Sequence, residues 1–358
     1  MAKIGILGFP NVGKTTLFNA LTGLRAPTAP HPFSTTEPNV GVAAVPDEKL
    51  ERAAAVESSA KIVHAQLELL DVPALAKPGH GGGLAGQFLG RLRDVEALAV
   101  VLRAFEDPGV PDEESGVDPV AQAQELLLEL ALADFDVFDR RKAKIAKEAT
   151  ADPSKRGAAD SIASATAVLE AGEALRQHKW EPDAIRAFRD LAPLTMKPAV
   201  WVINAAEDAD AVSLANAVEE VVPEGDIVVV VSALLEEEAA QLDPEDRAEL
   251  FEGLGLGEGA LSRMVRASYS ALGVQSFYTL GPKEAHAWTV RVGAKAPEAA
   301  GKIHSDLERG FIRAEIAPID DVIEAGGWDA AKASGIVKVE GKAYTMSEGD
   351  VVLVRFSV

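Results

Sequence analysis

The sequence predicts a parallel α/β domain, interrupted by a pair of long helices and followed by a small α+β module. Three observations carry that expectation. Short apolar runs rich in β-branched residues occur at 3–8, 66–71, 97–105, 199–204 and 226–232, with helical patterns between them, which is the signature of a parallel sheet. From Asp118 to about Pro193 the strand-like runs stop, and Ala, Leu, Glu, Lys and Arg dominate. After Leu254-Gly255-Leu256-Gly257 the pattern becomes one of short alternating strands. The expected domains are therefore 1–117 with 194–274, an insertion at 118–193, and a C-terminal module at 275–358.

The first strand runs straight into Gly8-Phe9-Pro10-Asn11-Val12-Gly13-Lys14-Thr15, a complete phosphate-binding loop, followed by the helical Thr16-Leu17-Phe18-Asn19-Ala20-Leu21. In that context consecutive backbone N–H groups wrap the α- and β-phosphates. Lys14 reaches the β- and γ-phosphates, and Thr15 offers its hydroxyl to magnesium at a helix N-terminus. A nucleoside triphosphate is the expected ligand.

Within the insertion, Gln122 to Lys147 and Lys155 to Gln177 are each expected to be helical, separated by Ala151-Asp152-Pro153-Ser154. Leu126, Leu130, Ala133 and Val137 on the first, and Ile162, Ala165, Leu169 and Ala171 on the second, are spaced to pack as an antiparallel hairpin. In the C-terminal module, strands are expected at 287–292, 311–316, 336–339 and 351–356, around a helix opened by Pro297.

Composition limits the function classes. Forty-seven percent apolar residues describes a globular protein, and no run approaches the roughly 20 apolar residues of a membrane helix, so a cytoplasmic protein is expected. The absence of cysteine excludes disulfides and thiolate metal sites, leaving oxygen ligands and six histidines. A net charge of −21 argues against broad nucleic-acid binding, and DNA and membranes are not expected partners. The C-terminal module carries only −2 of that charge and is the better candidate for contact with RNA.

A phosphate loop needs a second magnesium ligand and a sensor of the γ-phosphate. The loop from His31 to Gly41 supplies Thr35 and Thr36 as candidates. Asp71, ending Leu69-Leu70-Asp71-Val72-Pro73-Ala74, can orient magnesium through water. Ala74 replaces the glycine that often meets the γ-phosphate, and Leu75 stands where a glutamine often positions the attacking water. Asn204-Ala205-Ala206-Glu207 replaces the Asn-Lys-x-Asp that reads guanine, which weakens the case for guanine. Asn204 is expected to make paired hydrogen bonds to adenine, with Ser232-Ala233 adding backbone contacts.

These residues resemble the Obg-like ATPases of the YchF family. The most specific strings are Gly281-Pro282-Lys283-Glu284, Ala287-Trp288-Thr289, Lys295-Ala296-Pro297 and Ile303-His304-Ser305-Asp306, continuing through Gly310-Phe311-Ile312-Arg313-Ala314-Glu315. The resemblance implies a G-protein-like P-loop domain, an inserted helical hairpin and a C-terminal TGS domain of β-grasp fold. It also implies ATP preferred over GTP and association with the ribosome, through its large subunit or the assembled particle. By motif, Thr15, Thr35 and Asp71 take the magnesium, and Lys14, Thr35 and Asp71 the catalytic roles. Asn11, Val12, Gly13, Lys14, Thr15 and Thr16 cradle the phosphates, while Asn204, Glu207, Ser232 and Ala233 hold the base. Asn11 matches a residue that in related proteins helps hold potassium.

The chain departs from the family at Ala74, and it lacks a histidine in Pro108-Gly109-Val110-Pro111-Asp112, after Phe105-Glu106-Asp107. Slow hydrolysis is the expectation. A nucleotide sensor with little turnover, and a GTPase with a drifted base motif, are the alternatives.

Overall fold

The computed structural model describes residues 2–24, 38–73, 89–107, 117–254 and 259–357, with Pro244, Glu245 and Ala248 described as backbone alone. The chain divides into two compact units, residues 2–41 with 68–271 and residues 42–67 with 272–358.

Among the described residues, seven strands precede residue 271: β1 (Ala2–Leu7), β2 (Asn39–Ala44), β3 (Ile62–Val63), β4 (Gln66–Asp71), β5 (Ala97–Ala104), β6 (Ala199–Ala205) and β7 (Ile227–Val231). All but β3 form one sheet in the order β2-β4-β1-β5-β6-β7. The pairs β1–β5, β5–β6 and β6–β7 are parallel. Strand β5 is buried along nearly its whole length, as a central parallel strand covered on both faces must be. Five strands of this sheet lie within about a residue of the expected runs, β2 lies outside them, and the register brings Arg103 of β5, Asn204 of β6 and Val231 of β7 side by side at the strands' C-terminal ends.

Helix α1 (Lys14–Thr22) follows the phosphate loop, α2 is Glu48–Val56, and the insertion supplies α3 (Pro119–Ala151) and α4 (Arg156–Glu170). Helix α3 starts earlier than expected because Asp118 caps it, accepting from the Val120 and Ala121 N–H groups, with Pro119 in the first turn. Helix α4 ends earlier because Gly172, at φ 78°, turns the chain out of the helix. Their apolar stripes meet in one cluster containing Ala131, Phe138, Ile145, Ile162, Ala165 and Leu169. Phe188 of α5 (Pro182–Phe188) joins it edge-to-face with Phe138, ring centroids 5.4 Å apart.

Buried ion pairs fix the ends of this helical insertion. Asp134, fully buried on α3, accepts from Arg93 at 2.8 Å, from the Leu194 and Thr195 N–H groups at 3.0 and 2.8 Å, and from the Thr195 hydroxyl at 2.7 Å. Arg176 forks onto Asp226, which also accepts from the Trp201 indole. Four further helices of the unit lie among the described residues: α6 (Ala211–Glu219), α7 (Ala233–Ala239), α8 (Pro244–Gly253) and α9 (Ala260–Ala271).

The second unit has its own sheet. Strands β8 (Val274–Thr279), β9 (Ala285–Arg291), β10 (Phe311–Pro318), β11 (Lys338–Glu340) and β12 (Asp350–Phe356) join β3 in the order β11-β10-β12-β8-β9-β3. The first and last of the C-terminal strands, β8 and β12, run parallel at the centre, flanked by antiparallel pairs. Helix α10 (Ala296–Ile303), opened by Pro297, buries Ala299 and Ala300 against Phe277, Phe311, Ile316 and Val352. A mixed sheet of this order carrying one helix is the β-grasp arrangement. Three short helices, α11 (Ser305–Arg309), α12 (Ile319–Ala325) and α13 (Trp328–Ala333), fill the connections.

The grouping of residues 42–67 differs from the expected domain division. Strand β3 pairs with β9, the Tyr278 hydroxyl donates to Asp47 at 2.7 Å, and the Ser59 hydroxyl donates to the Gly281 carbonyl at 2.8 Å. Helix α2 packs on α12. Strand β8 also lies outside the expected set.

Candidate nucleotide-binding site

Gly13 holds the turn between strand and helix at φ 91°, ψ 20°, a conformation open to glycine at little cost. Asn11 reaches φ 59°, the left-handed region that asparagine tolerates better than most residues. The loop thus bends back on itself, and Lys14 begins α1. The Lys14 side chain is buried and its ammonium donates to the Phe9 carbonyl at 2.6 Å, which places the charge inside the loop.

Thr15 lies in the first turn of α1, and its hydroxyl donates to Asp71 Oδ2 at 3.1 Å, joining two residues 56 positions apart. The same carboxylate oxygen accepts from the Asn39 amide at 3.1 Å. Asp71 is buried at the end of β4, and burial pushes its carboxyl above the ordinary carboxylate range. The Asn39 hydrogen bond, the Lys14 charge and the Thr15 hydrogen bond pull it back only in part. Sequence alone does not single out Asn39; its one signal is its place in the string Glu37 to Gly41.

A buried carboxylate beside a hydroxyl is a hard oxygen pair of the kind that holds magnesium when phosphates and waters complete the octahedron. Among the described residues no cluster of three or more His, Cys, Asp or Glu forms a metal cage by itself. Thr35, Thr36, Ala74 and Leu75 lie outside the described residues.

On the base side, the structure alters the expectation for Asn204. Its amide nitrogen donates to the Val12 carbonyl at 3.0 Å, and its amide oxygen accepts from the Ala233 N–H at 3.0 Å. The side chain is buried and ties the phosphate loop to the turn after β7. With both contacts standing, paired hydrogen bonds to adenine would require the amide oxygen to accept a second time beside the Ala233 N–H. One N–H remains, and it suits the N7 acceptor that adenine and guanine share. The Ala233 N–H is likewise committed to Asn204. A Cβ at Gly13 would collide with the Asn204 amide nitrogen, so the glycine and the asparagine fit each other.

Val12 and Ala233 are buried, Thr16 is half-buried, and Ser232 caps α7, its hydroxyl accepting from the Leu235 N–H at 3.4 Å. Glu207 is exposed in the turn after β6. Nearby, Arg103 donates through Nε to the Phe105 carbonyl at 3.0 Å, and its guanidinium lies 4.9 Å from the centre of the Phe105 ring. Gln122 of α3 pairs with both backbone groups of Arg103, accepting from its N–H at 2.8 Å and donating to its carbonyl at 3.0 Å. The structure therefore brings Asn11 to Thr16 together with Asp71 at one end of the sheet, and links Asn204, Ser232 and Ala233 to them. No helix among the described residues is long and apolar enough to cross a membrane.

Residues 3–134 match the family of 50S ribosome-binding GTPases, and residues 274–357 match the YchF GTPase C-terminal family, described as a protein of unknown function. The chain is 37% identical to the ribosome-binding ATPase YchF of Bacillus subtilis and 39% identical to that of Escherichia coli O157:H7, each alignment covering 99% of both chains. The solved structure of the Schizosaccharomyces pombe YchF GTPase superposes with a TM-score of 0.85 at 28% identity, over 99% of this chain and 97% of that one. With end-to-end similarity of this degree, and with the phosphate loop and the C-terminal grasp module in place, the chain belongs to the YchF family.

Proposed function

We propose that this chain binds ATP with magnesium at the Gly8 to Thr15 loop, hydrolyses it slowly, and uses the nucleotide state to set its affinity for the ribosome. The hydrogen bond from Thr15 to Asp71, with the Lys14 charge acting on that carboxylate, supports the site. Full-length relatives named ribosome-binding ATPases support the activity, the partner and a cytoplasmic location. Ala205 and Glu207, in place of the lysine and aspartate of a guanine reader, support ATP over GTP.

On this reading the Lys14 ammonium leaves the Phe9 carbonyl for the β- and γ-phosphate oxygens. The loop N–H groups stabilise the charge that builds there. Asp71 and Thr15, with Thr35, would hold magnesium, which would supply positive charge to offset that of the phosphates. Water attacks the γ-phosphorus in line, the bond to the β-γ bridging oxygen breaks, and ADP keeps that electron pair. Leu75 cannot orient the water, so turnover is slow. Asn11, by its match to related proteins, would help hold a potassium ion beside the phosphates.

Competition of ATP and GTP for the site tests the assignment. ATP should win, and a GTP preference of about tenfold or more, roughly 1.4 kcal/mol, overturns the choice of base. Lys14→Ala should abolish tight triphosphate binding; unchanged ATP affinity in that variant would sink the site itself.

A further inference from the structure

Residues 140–156, where α3 ends and the chain turns into α4, hold seven of the chain's 35 Lys and Arg but only two of its 56 Asp and Glu. A strongly basic island thus stands in a chain of net charge −21. Both acids are engaged inside the turn. Glu148 accepts from Arg141 at 3.1 Å and from Lys155 at 3.0 Å, and Asp152 accepts from the Ser154 hydroxyl at 2.6 Å and its N–H at 3.0 Å. Arg140, Lys142, Lys144, Lys147 and Arg156 are exposed and have no ion-pair partner among the described residues.

Arg140, Lys144 and Lys147 are spaced i, i+4 and i+7, so they line one stripe of α3, opposite Phe138 and Ile145, which pack toward α4. Like charges four residues apart destabilise a helix, whereas a merely solvated face mixes both signs. The stripe therefore costs α3 stability, and no acid among the described residues offsets it. It is about 10 Å long and lies roughly 25–40 Å along the helix from Gln122, which ties α3 to β5. It stands well apart from the phosphate loop. The C-terminal module, expected from its milder net charge to be the better RNA contact, has several of its cations already taken: Lys332 and Arg355 by Glu315, and Arg309 by Asp306.

We propose that the tip of the helical insertion is a docking surface for the phosphate backbone of RNA, held through Arg140, Lys144 and Lys147. The proposal rests on the reading of the ribosome as partner. Contacts of this kind fix position and orientation without reading sequence. Each neutralised phosphate releases counterions, so the contribution of the stripe is read in the salt dependence of binding.

The triple variant Arg140→Gln, Lys144→Gln, Lys147→Gln removes the charge and keeps good helix formers. Binding of the ATP-loaded full chain to salt-washed ribosomes and to protein-free ribosomal RNA, followed between about 50 and 200 mM salt, tests the proposal. On both partners the slope of log affinity against log salt should become shallower by about 2–3 in the triple variant, with ATP affinity unchanged. Lys179→Gln, Arg186→Gln, Arg189→Gln, which removes three exposed cations elsewhere in the insertion, should keep the wild-type slope. An unchanged slope in the tip variant, or an equal change in the control, overturns the proposal. A change on ribosomes but not on bare RNA would assign the stripe to an acidic protein and overturns it as well. Tip-dependent binding to RNA by a chain that does not bind ribosomes would refute the ribosomal partner alone.

Discussion

Asn204 and Gly13 should behave as a coupled pair. Asn204→Ala removes two hydrogen bonds and leaves the Val12 carbonyl and the Ala233 N–H without that partner beside a buried side chain. At about 1 kcal/mol net per bond, and more for a group left unsatisfied, the expected loss is about 2–4 kcal/mol. Gly13→Ala meets two obstacles: the left-handed backbone costs about 1–2 kcal/mol, and the new methyl displaces the Asn204 amide from Val12 for about 1–3 kcal/mol more. With Asn204 already alanine the second obstacle disappears. The double variant should therefore be about 1–3 kcal/mol more stable than the sum of the single losses predicts. Urea unfolding of the nucleotide-free chain, followed in wild type, both single variants and the double, measures that coupling. Strict additivity, or an Asn204→Ala loss below about 0.5 kcal/mol, would show that the tie between the phosphate loop and the base-side turn does not exist in solution.

Two further outcomes follow from buried carboxylates. Burial raises the Asp71 carboxyl, so it takes up a proton at higher pH than an ordinary aspartate, and magnesium-dependent ATP affinity should begin to fall while exposed carboxylates are still ionised. The sign for the empty fold is opposite: the raised group favours folding fully below its unfolded value, and that gain is lost as pH rises through the folded value. Asp71→Asn should flatten both profiles, and an unchanged pH dependence of ATP affinity in that variant would refute the role. Asp134→Ala should destabilise the first unit by about 3–5 kcal/mol, since Arg93 and the Leu194 and Thr195 N–H groups are deprived of a fully buried acceptor. Amide exchange at Leu194 and Thr195 should rise with it; protection equal to wild type would show that the clamp is dispensable.

Much of this architecture is legible in the sequence because it is written in local signals. The β-branched runs, Asp118 with Pro119, and the glycines of the phosphate loop each act within a few residues, and the structure places strands, helix starts and turns close to where those signals point. Thr15 and Asp71 are legible as candidates by type, although the hydrogen bond between them is a tertiary fact. What cannot be read are the choices made by long-range partners. Asn204 carries the same side chain whether it reads a base or ties two loops, and only the positions of Val12 and Ala233 decide between them. Asn39 looks like any turn residue until Asp71 stands beside it. Strand β8 gives no clear signal because four successive residues, Gln275 to Tyr278, are buried and the first two of them are polar, so the sequence shows no in–out alternation.

Residues 42–67 carry a consequence for how the chain is made. They are synthesised early, between Asn39 and Asp71, yet the strand and helix they pack on, β9 and α12, come more than 200 residues later. During vectorial synthesis this segment must therefore wait, with the apolar face of α2 uncovered, until the C-terminus has emerged. The same wiring means that a chain cut after residue 271 would be no clean nucleotide-binding fragment, for it would keep an orphaned piece of the unit it had lost.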